Sequence, residues 1–176
     1  MAKIIQEKQE VKIATTGSSW GSISYHYEEQ LDNVSHNEMG VKIDRKYYRI
    51  NPDKSLTLVT DSTSLKKGDR VRVVIFLECD RNLDYLVLSD QRAASFEPII
   101  TQSGWRYNDG ISYYSDIRNE ESLFYINRLA PGHYAVEYDV WLMASGTFST
   151  GIATIECNYA PEFRSNSRNT TLVVAN

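Results

Sequence analysis

Three histidines, two cysteines and a cluster of acids are the side chains of this sequence that could bind a metal or move protons. The histidines are His26, His36 and His133, and none has a second ligand at the spacing that zinc sites use. His36 opens the tetrapeptide HNEM, which lacks the second histidine of a zinc-protease helix. The sequence therefore predicts no metal site. It also has no phosphate-binding glycine loop, no dinucleotide fingerprint and no G-x-S-x-G turn, so we expect no cofactor.

The two cysteines, Cys79 and Cys157, each end a predicted strand and have no evident base, which favours burial over use as nucleophiles. Two interpretations stay open for them: two separate buried thiols, or a disulfide in an oxidising compartment. Asp116, Glu120 and Glu121 form the one tempting acidic cluster, and a solvated surface is the main interpretation there. Because no catalytic group stands out, the sequence predicts a protein that is not an enzyme.

The size and charge of the chain exclude several classes of protein. Its 176 residues fit one domain, or one domain with a short appendage. The net charge of −4, without a basic stripe, argues against a nucleic-acid-binding protein. No apolar run approaches the ~20 residues of a membrane helix, and no secretory signal is visible in the chain. The twelve tyrosines suit a small β-protein, because a strand tyrosine can bury its ring and keep its hydroxyl in water.

Alternation of apolar and polar residues with a period of two is the main structural signal, and it is strongest after the turn at Pro131-Gly132. A strand of about ten residues is predicted there. A turn at Gly146 and a second strand at 152–157 follow, and the two strands together read as an antiparallel hairpin. The face of the first strand that we expect in the core carries Tyr134, Val136, Tyr138 and Val140.

Further strands are predicted between turn signals, and no segment shows a sustained helical period. The segment at 70–79 is apolar on both faces and should lie at the centre of its sheet. A separate hairpin is expected from strands at 10–14 and 20–27, joined to the rest by a polar linker at 28–40. The fold class is therefore all-β, an immunoglobulin-like antiparallel β-sandwich preceded by a β-hairpin. The remaining predicted strands are 41–50, 56–60, 70–79, 85–89, 122–128 and 170–174.

The least regular part of the sequence, residues 89–115, holds the side chains that we expect to make contacts. Its aromatic residues lie in a loop-like context, where exposed rings more often contact a partner than build a core. We therefore expect an exposed apolar patch in this segment. The candidate residues are Trp105, Tyr107, Tyr113 and Tyr114.

Several short segments, in the same order, resemble the C-terminal region of bacterial α2-macroglobulin-like proteins, especially the long forms of Bacteroidetes. SWGSISYHY, from Ser19, is similar to their A-W-G-x-x-Y-W-Q-Y strand. LDYLVLSDQRAASFEP, from Leu83, resembles M-E-Y-V-H-x-K-D-x-R-A-x-x-F-E-P, and the SGW and DGISYY segments resemble the S-G-Y and G-L-G-Y-Y that follow. CNYAPEF, from Cys157, is similar to their terminal C-M-Y-A-P-E-F. The resemblance covers residues 19–176.

The resemblance implies a division of the chain into two parts. Residues 1–35 would be the terminal strands of a CUB-like domain with a linker, and residues 36–176 the last macroglobulin domain, a C-terminal β-sandwich. The resemblance also implies a non-catalytic domain of an exported protease inhibitor in the periplasm or cell envelope of a Gram-negative bacterium. The implied partners are the other domains of the parent chain, and the proteases that the full-length protein captures.

The same resemblance implies where the domain acts. It would dock against the thioester-type domain of its parent chain, although this sequence itself contains no C-x-E-Q thioester motif. In thioester-bearing relatives a tyrosine of this domain helps to shield the thioester, and Tyr114 matches that position best, with Tyr113 next. The alternatives are a carbohydrate-binding sandwich with coplanar aromatic faces, or an adhesin module completed by a partner's strand.

Overall fold

The computed structural model describes residues 16–18, 20, 29–34, 36 and 38–176. The predicted hairpin at 10–27 lies almost wholly outside these residues, so it stays a prediction. A short 3₁₀ helix, Leu31–Asn33, lies in the predicted linker. Within the described residues no helix is long and apolar enough to cross a membrane.

The described residues form fourteen β-strands and fold as an all-β sandwich, which confirms the predicted fold class. The larger sheets are a five-stranded sheet with the order β2-β1-β4-β10-β6 and a six-stranded sheet with the order β13-β12-β5-β9-β8-β7. A third, small sheet has the order β11-β14-β3, and β3 runs parallel to β14. The strands are β1 (Val41–Ile50), β2 (Leu56–Leu58), β3 (Leu65–Lys66), β4 (Arg70–Cys79), β5 (Leu83–Gln91), β6 (Phe96–Pro98), β7 (Gly104–Asn108), β8 (Ile111–Ile117), β9 (Glu121–Leu129), β10 (Gly132–Leu142), β11 (Gly146–Ser149), β12 (Ala153–Cys157), β13 (Ala160–Asn166) and β14 (Thr171–Ala175).

The core lies between the two large sheets and is built from the inward-facing residues of their central strands. β4 contributes Val71, Val73 and Ile75, all fully buried, and it lies at the centre of its sheet, as predicted. Phe124 and Ile126 of β9 face them from the six-stranded sheet within the same cluster. Each such side chain stabilises the fold by about 1.5–3 kcal/mol relative to an exposed position.

The strongest sequence patterns are confirmed with little error in their boundaries. The predicted strands 41–50 and 70–79 coincide with β1 and β4. In β10, Val136 and Val140 are fully buried, and the rings of Tyr134 and Tyr138 are partly buried against the same core. Alternation therefore identified the correct inward face of this strand.

The predicted hairpin between β10 and the strand at 152–157 is wrong. β10 pairs with β4 and β6 in the five-stranded sheet, whereas β12 pairs with β5 and β13 in the six-stranded sheet. The chain crosses between the sheets after β11, at Gly151, where the backbone has a φ of +67° that favours glycine. Alternation shows that a strand is half-buried, but it does not show which strand lies beside it.

The segment at 89–115, predicted to be irregular, contains β6, β7 and the start of β8. β7 and β8 form a tight hairpin around Asp109 and Gly110, which both have positive φ, as a type I′ turn requires. The inward positions of β8 include Ser115 beside Tyr113, and Ser115 is buried. A small polar residue therefore takes one inward position of this strand, between Tyr113 and Ile117.

The end of the predicted linker, residues 36 and 38–40, lies against β13. The backbone N–H of Met39 donates to Ser165 Oγ at 2.9 Å, and His36 Nδ1 lies 2.7 Å from the backbone oxygen of Asn166. Gly40 has a φ of +92°, and a Cβ there would lie 2.6 Å from Cδ1 of Phe163. Only glycine fits this close approach without displacing the ring.

The two cysteines are free and buried, which agrees with the first of the two interpretations. The thiol of Cys79 donates to the backbone oxygen of Arg81 at 2.9 Å. The thiol of Cys157 donates to the backbone oxygen of Asp84 at 3.1 Å. The Cys79 thiol therefore binds a carbonyl just after its own strand, and the Cys157 thiol binds one at the start of the neighbouring strand, β5.

Candidate functional site

Aromatic side chains form a row across the outer face of the six-stranded sheet. Trp105 of β7 is the register partner of Tyr114 of β8, and Tyr114 is the partner of Tyr125 of β9. Tyr125 in turn lies opposite Val87 of β5. Register partners on neighbouring strands point to the same side of a sheet, at a strand spacing of about 4.8 Å. The aromatic row therefore spans three strands, or about 10 Å, and Val87 continues the same face on a fourth strand.

A second set of rings lies one step further along the same strands. Tyr107 is two residues from Trp105 on β7 and continues the same face. Tyr85 lies two residues before Val87 on β5, and its side chain is exposed. Tyr159, in the turn between β12 and β13, places its ring centroid 5.2 Å from that of Tyr85. We call Trp105, Tyr107, Tyr114, Tyr125, Tyr85 and Tyr159 the aromatic face.

The rings of the aromatic face remain substantially open to solvent. Trp105 and Tyr114 meet edge to face, with centroids 5.8 Å apart and planes at 79°. Tyr85 and Tyr159 meet at 81°. Neither pair offers the coplanar rings on which a sugar would stack, so the geometry does not favour the carbohydrate-binding alternative. The exposed fractions are 62% for Trp105, 74% for Tyr107, 37% for Tyr114, 54% for Tyr85 and 81% for Tyr159.

Tyr113 does not belong to this surface, and the expectation that it contributes to an exposed patch is wrong. Its side chain is only 3% exposed, and its ring meets that of Phe124 edge to face at 5.6 Å, inside the sandwich. Burial, together with the nearby carboxylate of Glu137, raises the pKa of Tyr113. Adjacent residues of a strand point to opposite faces, so Tyr113 and Tyr114 cannot both lie outside.

Three members of the aromatic face were missed in the sequence: Tyr125, Tyr85 and Tyr159. Tyr125 lies in a strand that was predicted, but its outward direction was not used. Tyr85 has a φ of +58°, a left-handed conformation that is strained by about 1–2 kcal/mol for a residue with a side chain. The backbone N–H of Asn158 donates to the backbone oxygen of Tyr85 at 3.0 Å, and this bond holds the β12–β13 turn against β5. No sequence pattern signals this conformation.

The acidic cluster after β8 is held by arginine and not arranged for acid–base chemistry. Arg118 Nε donates to Asp116 Oδ2 at 3.0 Å, and its Nη1 lies 3.5 Å from Glu121 Oε1. Ser89 Oγ also donates to Glu121, at 2.7 Å. Hydrogen bonding to Asp116 raises the pKa of Arg118. The arrangement is that of a paired protein surface.

Metal ligation has no support in the part of the chain that the structure describes. There, no three histidine, cysteine, aspartate or glutamate side chains come together in a way that could hold a metal ion. His36 Nε2 instead lies 2.8 Å from Glu38 Oε1, and His133 is exposed at the start of β10. His26 lies outside the described residues.

Solved structures with the same fold come from bacterial alpha-2-macroglobulins. The alpha-2-macroglobulin of Salmonella reacted with methylamine matches with a TM-score of 0.64 and 17% identity, over 81% of this chain and 10% of that one. The trypsin-activated protein of Escherichia coli matches with a TM-score of 0.63 and 14% identity, over 80% of this chain and 11% of that one. A native Escherichia coli fragment from domain MG7 to the C-terminus matches with a TM-score of 0.60 and 14% identity, over 80% of this chain and 24% of that one.

This chain spans only about a tenth of the length of the first two of these proteins. At such low identity the structural likeness shows the fold alone. No curated protein sequence matches the chain. The family model described as the bacterial alpha-2-macroglobulin MG10 domain matches residues 40–162, which include both large sheets up to the start of β13. The chain therefore belongs to the family of bacterial alpha-2-macroglobulin MG10 domains.

Proposed function

We propose that this chain is a non-catalytic domain near the C-terminus of an exported alpha-2-macroglobulin-like protease inhibitor, and that it docks on another domain of its parent chain through the aromatic face. The observation that carries the proposal is the row of Trp105, Tyr114 and Tyr125, aligned across three neighbouring strands on one face. Aromatic residues are enriched at protein interfaces, because burying their large rings contributes strongly to binding. The fold match to parts of much longer chains supports a partner within one polypeptide.

The outer face of the five-stranded sheet has a different character, which supports the choice of face. Its charges are paired along the register: Lys42 Nζ donates to Glu78 at 2.9 Å, and Arg72 Nε donates to Asp139 at 2.7 Å. Paired surface charges are stable in water and lose hydration when a partner covers them. The aromatic face loses little favourable hydration when a partner buries it, and it gains apolar contact.

The docking partner that we propose is the thioester-type domain of the parent, with Tyr114 as the residue that shields its thioester. Tyr114 is partly exposed, and its edge-to-face contact with Trp105 holds its ring in place. Trp105 and Tyr107 would supply the surrounding contact, while Tyr113, on the opposite face of β8, would take no part in it. The proposed location is the periplasm or cell envelope, where the full-length inhibitor would meet the proteases that it captures.

The test is binding in trans between this domain and the remainder of its parent polypeptide, measured by calorimetry. Replacing Trp105 and Tyr114 by alanine should weaken binding at least about tenfold, because buried aromatic residues dominate interface energetics. The matched control is Trp141→Ala, which removes an exposed tryptophan from the other large sheet and should leave binding unchanged. Equal losses for both faces, or a loss confined to Trp141→Ala, would contradict the proposal.

A further inference from the structure

A cleft of about 300 Å³ opens between the two large sheets, beside the free edge of β10. Its inner wall is apolar and includes Ile117 and the ring of Phe124. The side formed by β7 and β8 carries Arg106 and Tyr113, and the opposite side carries Glu137 of β10. This cleft is separate from the aromatic face, which lies on the outside of the six-stranded sheet.

The hydroxyl of Tyr113 is the first feature of the cleft. The side chain is 3% exposed as a whole, and its hydroxyl is not among the buried polar atoms without a partner, so it opens into the cleft that the residue lines. The partly buried tyrosine of β10, Tyr138, differs in this respect, because its hydroxyl donates to Asp90 Oδ2 at 2.6 Å. The Tyr113 hydroxyl is therefore free to donate to an acceptor that enters the cleft.

Arg106 is the second feature, and it faces Tyr113 directly as its register partner. It donates through Nη1 to the backbone oxygen of Trp105 at 3.0 Å and through Nη2 to that of Gln102 at 3.1 Å. A guanidinium group has five N–H donors, so three remain unused within the described chain. Arg70 and Arg72, by contrast, are both paired with Asp139. Of the three arginines that line the cleft, Arg106 is the one that forms no ion pair with a carboxylate of the described residues.

The backbone of β10 supplies the third feature. The backbone of Leu142 exchanges hydrogen bonds with residues 68 and 69 on the β4 side. The backbone N–H and C=O groups of even-numbered residues of β10 therefore point toward β4, and those of odd-numbered residues point away from it. The outward oxygens of Asp139 and Ala135 are taken by Ile99 N–H and by the side-chain amide of Asn108. Glu137 lies between them, and no strand of the described residues pairs with its N–H and C=O on this edge.

We propose that this cleft binds the C-terminal carboxylate of a polypeptide whose last residue is apolar. Arg106 and Tyr113 donate to the carboxylate, and the backbone of Glu137 pairs with the backbone of the final residue. The lining carries three arginines and two acids, so it has one net positive charge in a chain with a net charge of −4. The apolar inner wall takes one side chain, and a volume of about 300 Å³ suits a chain end better than a continuous strand.

The test is a titration of the whole chain with N-acetyl-leucine and, as the matched uncharged probe, its carboxamide, followed by backbone amide NMR. The acid should bind saturably in about the millimolar range, as expected for so small a ligand, and shift the amides of Arg106 and Glu137. The carboxamide should bind at least about tenfold more weakly, because it cannot form a charge-assisted pair with Arg106. Equal binding of both probes, or no saturable shift, overturns the proposal.

Variants separate the roles of the cleft residues. Arg106→Gln should weaken binding of the acid at least about tenfold, and Tyr113→Phe, which keeps the ring in the core, should weaken it several-fold. The control is Arg128→Gln, which removes an exposed arginine of β9 and should leave binding unchanged. Wild-type affinity in both cleft variants overturns the proposal. If 4-methylpentanoate, which has no peptide group, binds as tightly as N-acetyl-leucine, the cleft recognises small organic acids and the chain-end assignment is wrong.

Discussion

Arg45 and Asp90 form an ion pair through the interior of the sandwich, with Nη1 of the arginine 2.5 Å from Oδ1 of the aspartate. Arg45 belongs to β1 and Asp90 to β5, so the pair joins the two large sheets. Both side chains are 1% exposed. Arg45 also donates to the hydroxyl of Thr150 at 3.0 Å. Burial is the largest single influence and lowers the pKa of Arg45, but Asp90, together with the nearby Tyr47 and Tyr138, raises this pKa above its usual value.

The first prediction concerns the loss of this carboxylate. Asp90→Asn keeps the size of the side chain but leaves the charge of Arg45 buried without a counter-ion, so it should lower the free energy of unfolding by about 3–5 kcal/mol. Urea unfolding measures the loss. The control, Glu78→Gln, makes the same chemical change in the exposed pair with Lys42 and should have little effect. Similar losses of unfolding free energy in the two variants would show that the buried pair contributes no more to stability than the exposed pair.

The second prediction concerns alkaline pH. Burial and the adjacent carboxylate of Asp90 raise the pKa of Tyr138 well above its usual value of 10.0. Below pH 10 the folded and unfolded states both hold this proton, so its contribution to stability is complete there. As the pH rises above 10 the unfolded state releases the proton first, and stability should fall by up to about 1.4 kcal/mol per pH unit for this group.

Urea unfolding between pH 9 and pH 11.5 tests this dependence. The range is set by the ordinary tyrosine pKa of about 10 in the unfolded chain. Tyr138→Phe should lower stability at pH 8 through loss of its hydrogen bond to Asp90, and should also make the alkaline decline less steep. Tyr107→Phe removes an exposed hydroxyl and should keep the wild-type slope. An unchanged slope in Tyr138→Phe would assign the decline to other groups.

The third prediction concerns the crossing between the sheets at Gly151. A Cβ at this position would lie 2.6 Å from Cβ of Gln91, and the φ of +67° is unfavourable for any side chain. Gly151→Ala should therefore destabilise the fold by about 2 kcal/mol or more. Gly68→Ala is the control, because Gly68 also has a positive φ, +90°, but a Cβ there meets nothing within 4 Å. A smaller loss for Gly151→Ala than for Gly68→Ala would rule out the close contact as the cause.

The sequence predicted the strands with strong alternation well, because burial of every second residue leaves a direct pattern. β1 shows the limit of that pattern: Val41, Ile43 and Tyr47 are buried at alternate positions, but Arg45 occupies the inward position between Ile43 and Tyr47. Its partner Asp90 is 45 residues away, and no local period can reveal a contact between two sheets. The same limit explains the wrong pairing of β10 with β12.

The candidate site was predicted in part, and the error at Tyr113 was avoidable. Ile111, Tyr113 and Ile117 share one face of β8, and Tyr114 lies on the opposite face with Ser112. That alternation, read along the whole strand, assigns Tyr113 to the core. The place of Tyr159 in the aromatic face could not be predicted. It depends on the left-handed backbone of Tyr85 and on the packing of the β12–β13 turn against Tyr85.

The fourth prediction compares the two adjacent tyrosines of β8. Tyr113→Ala removes a ring from the core and should lower the free energy of unfolding by about 3–5 kcal/mol. Tyr114→Ala removes the same side chain from the outer face and should lower it by less than about 1 kcal/mol, since the ring packs mainly on Trp105. Urea unfolding of the isolated chain measures both losses. If Tyr114→Ala destabilised the domain as much as Tyr113→Ala, the aromatic face would serve the fold itself, and its exposure would no longer argue for a docking partner.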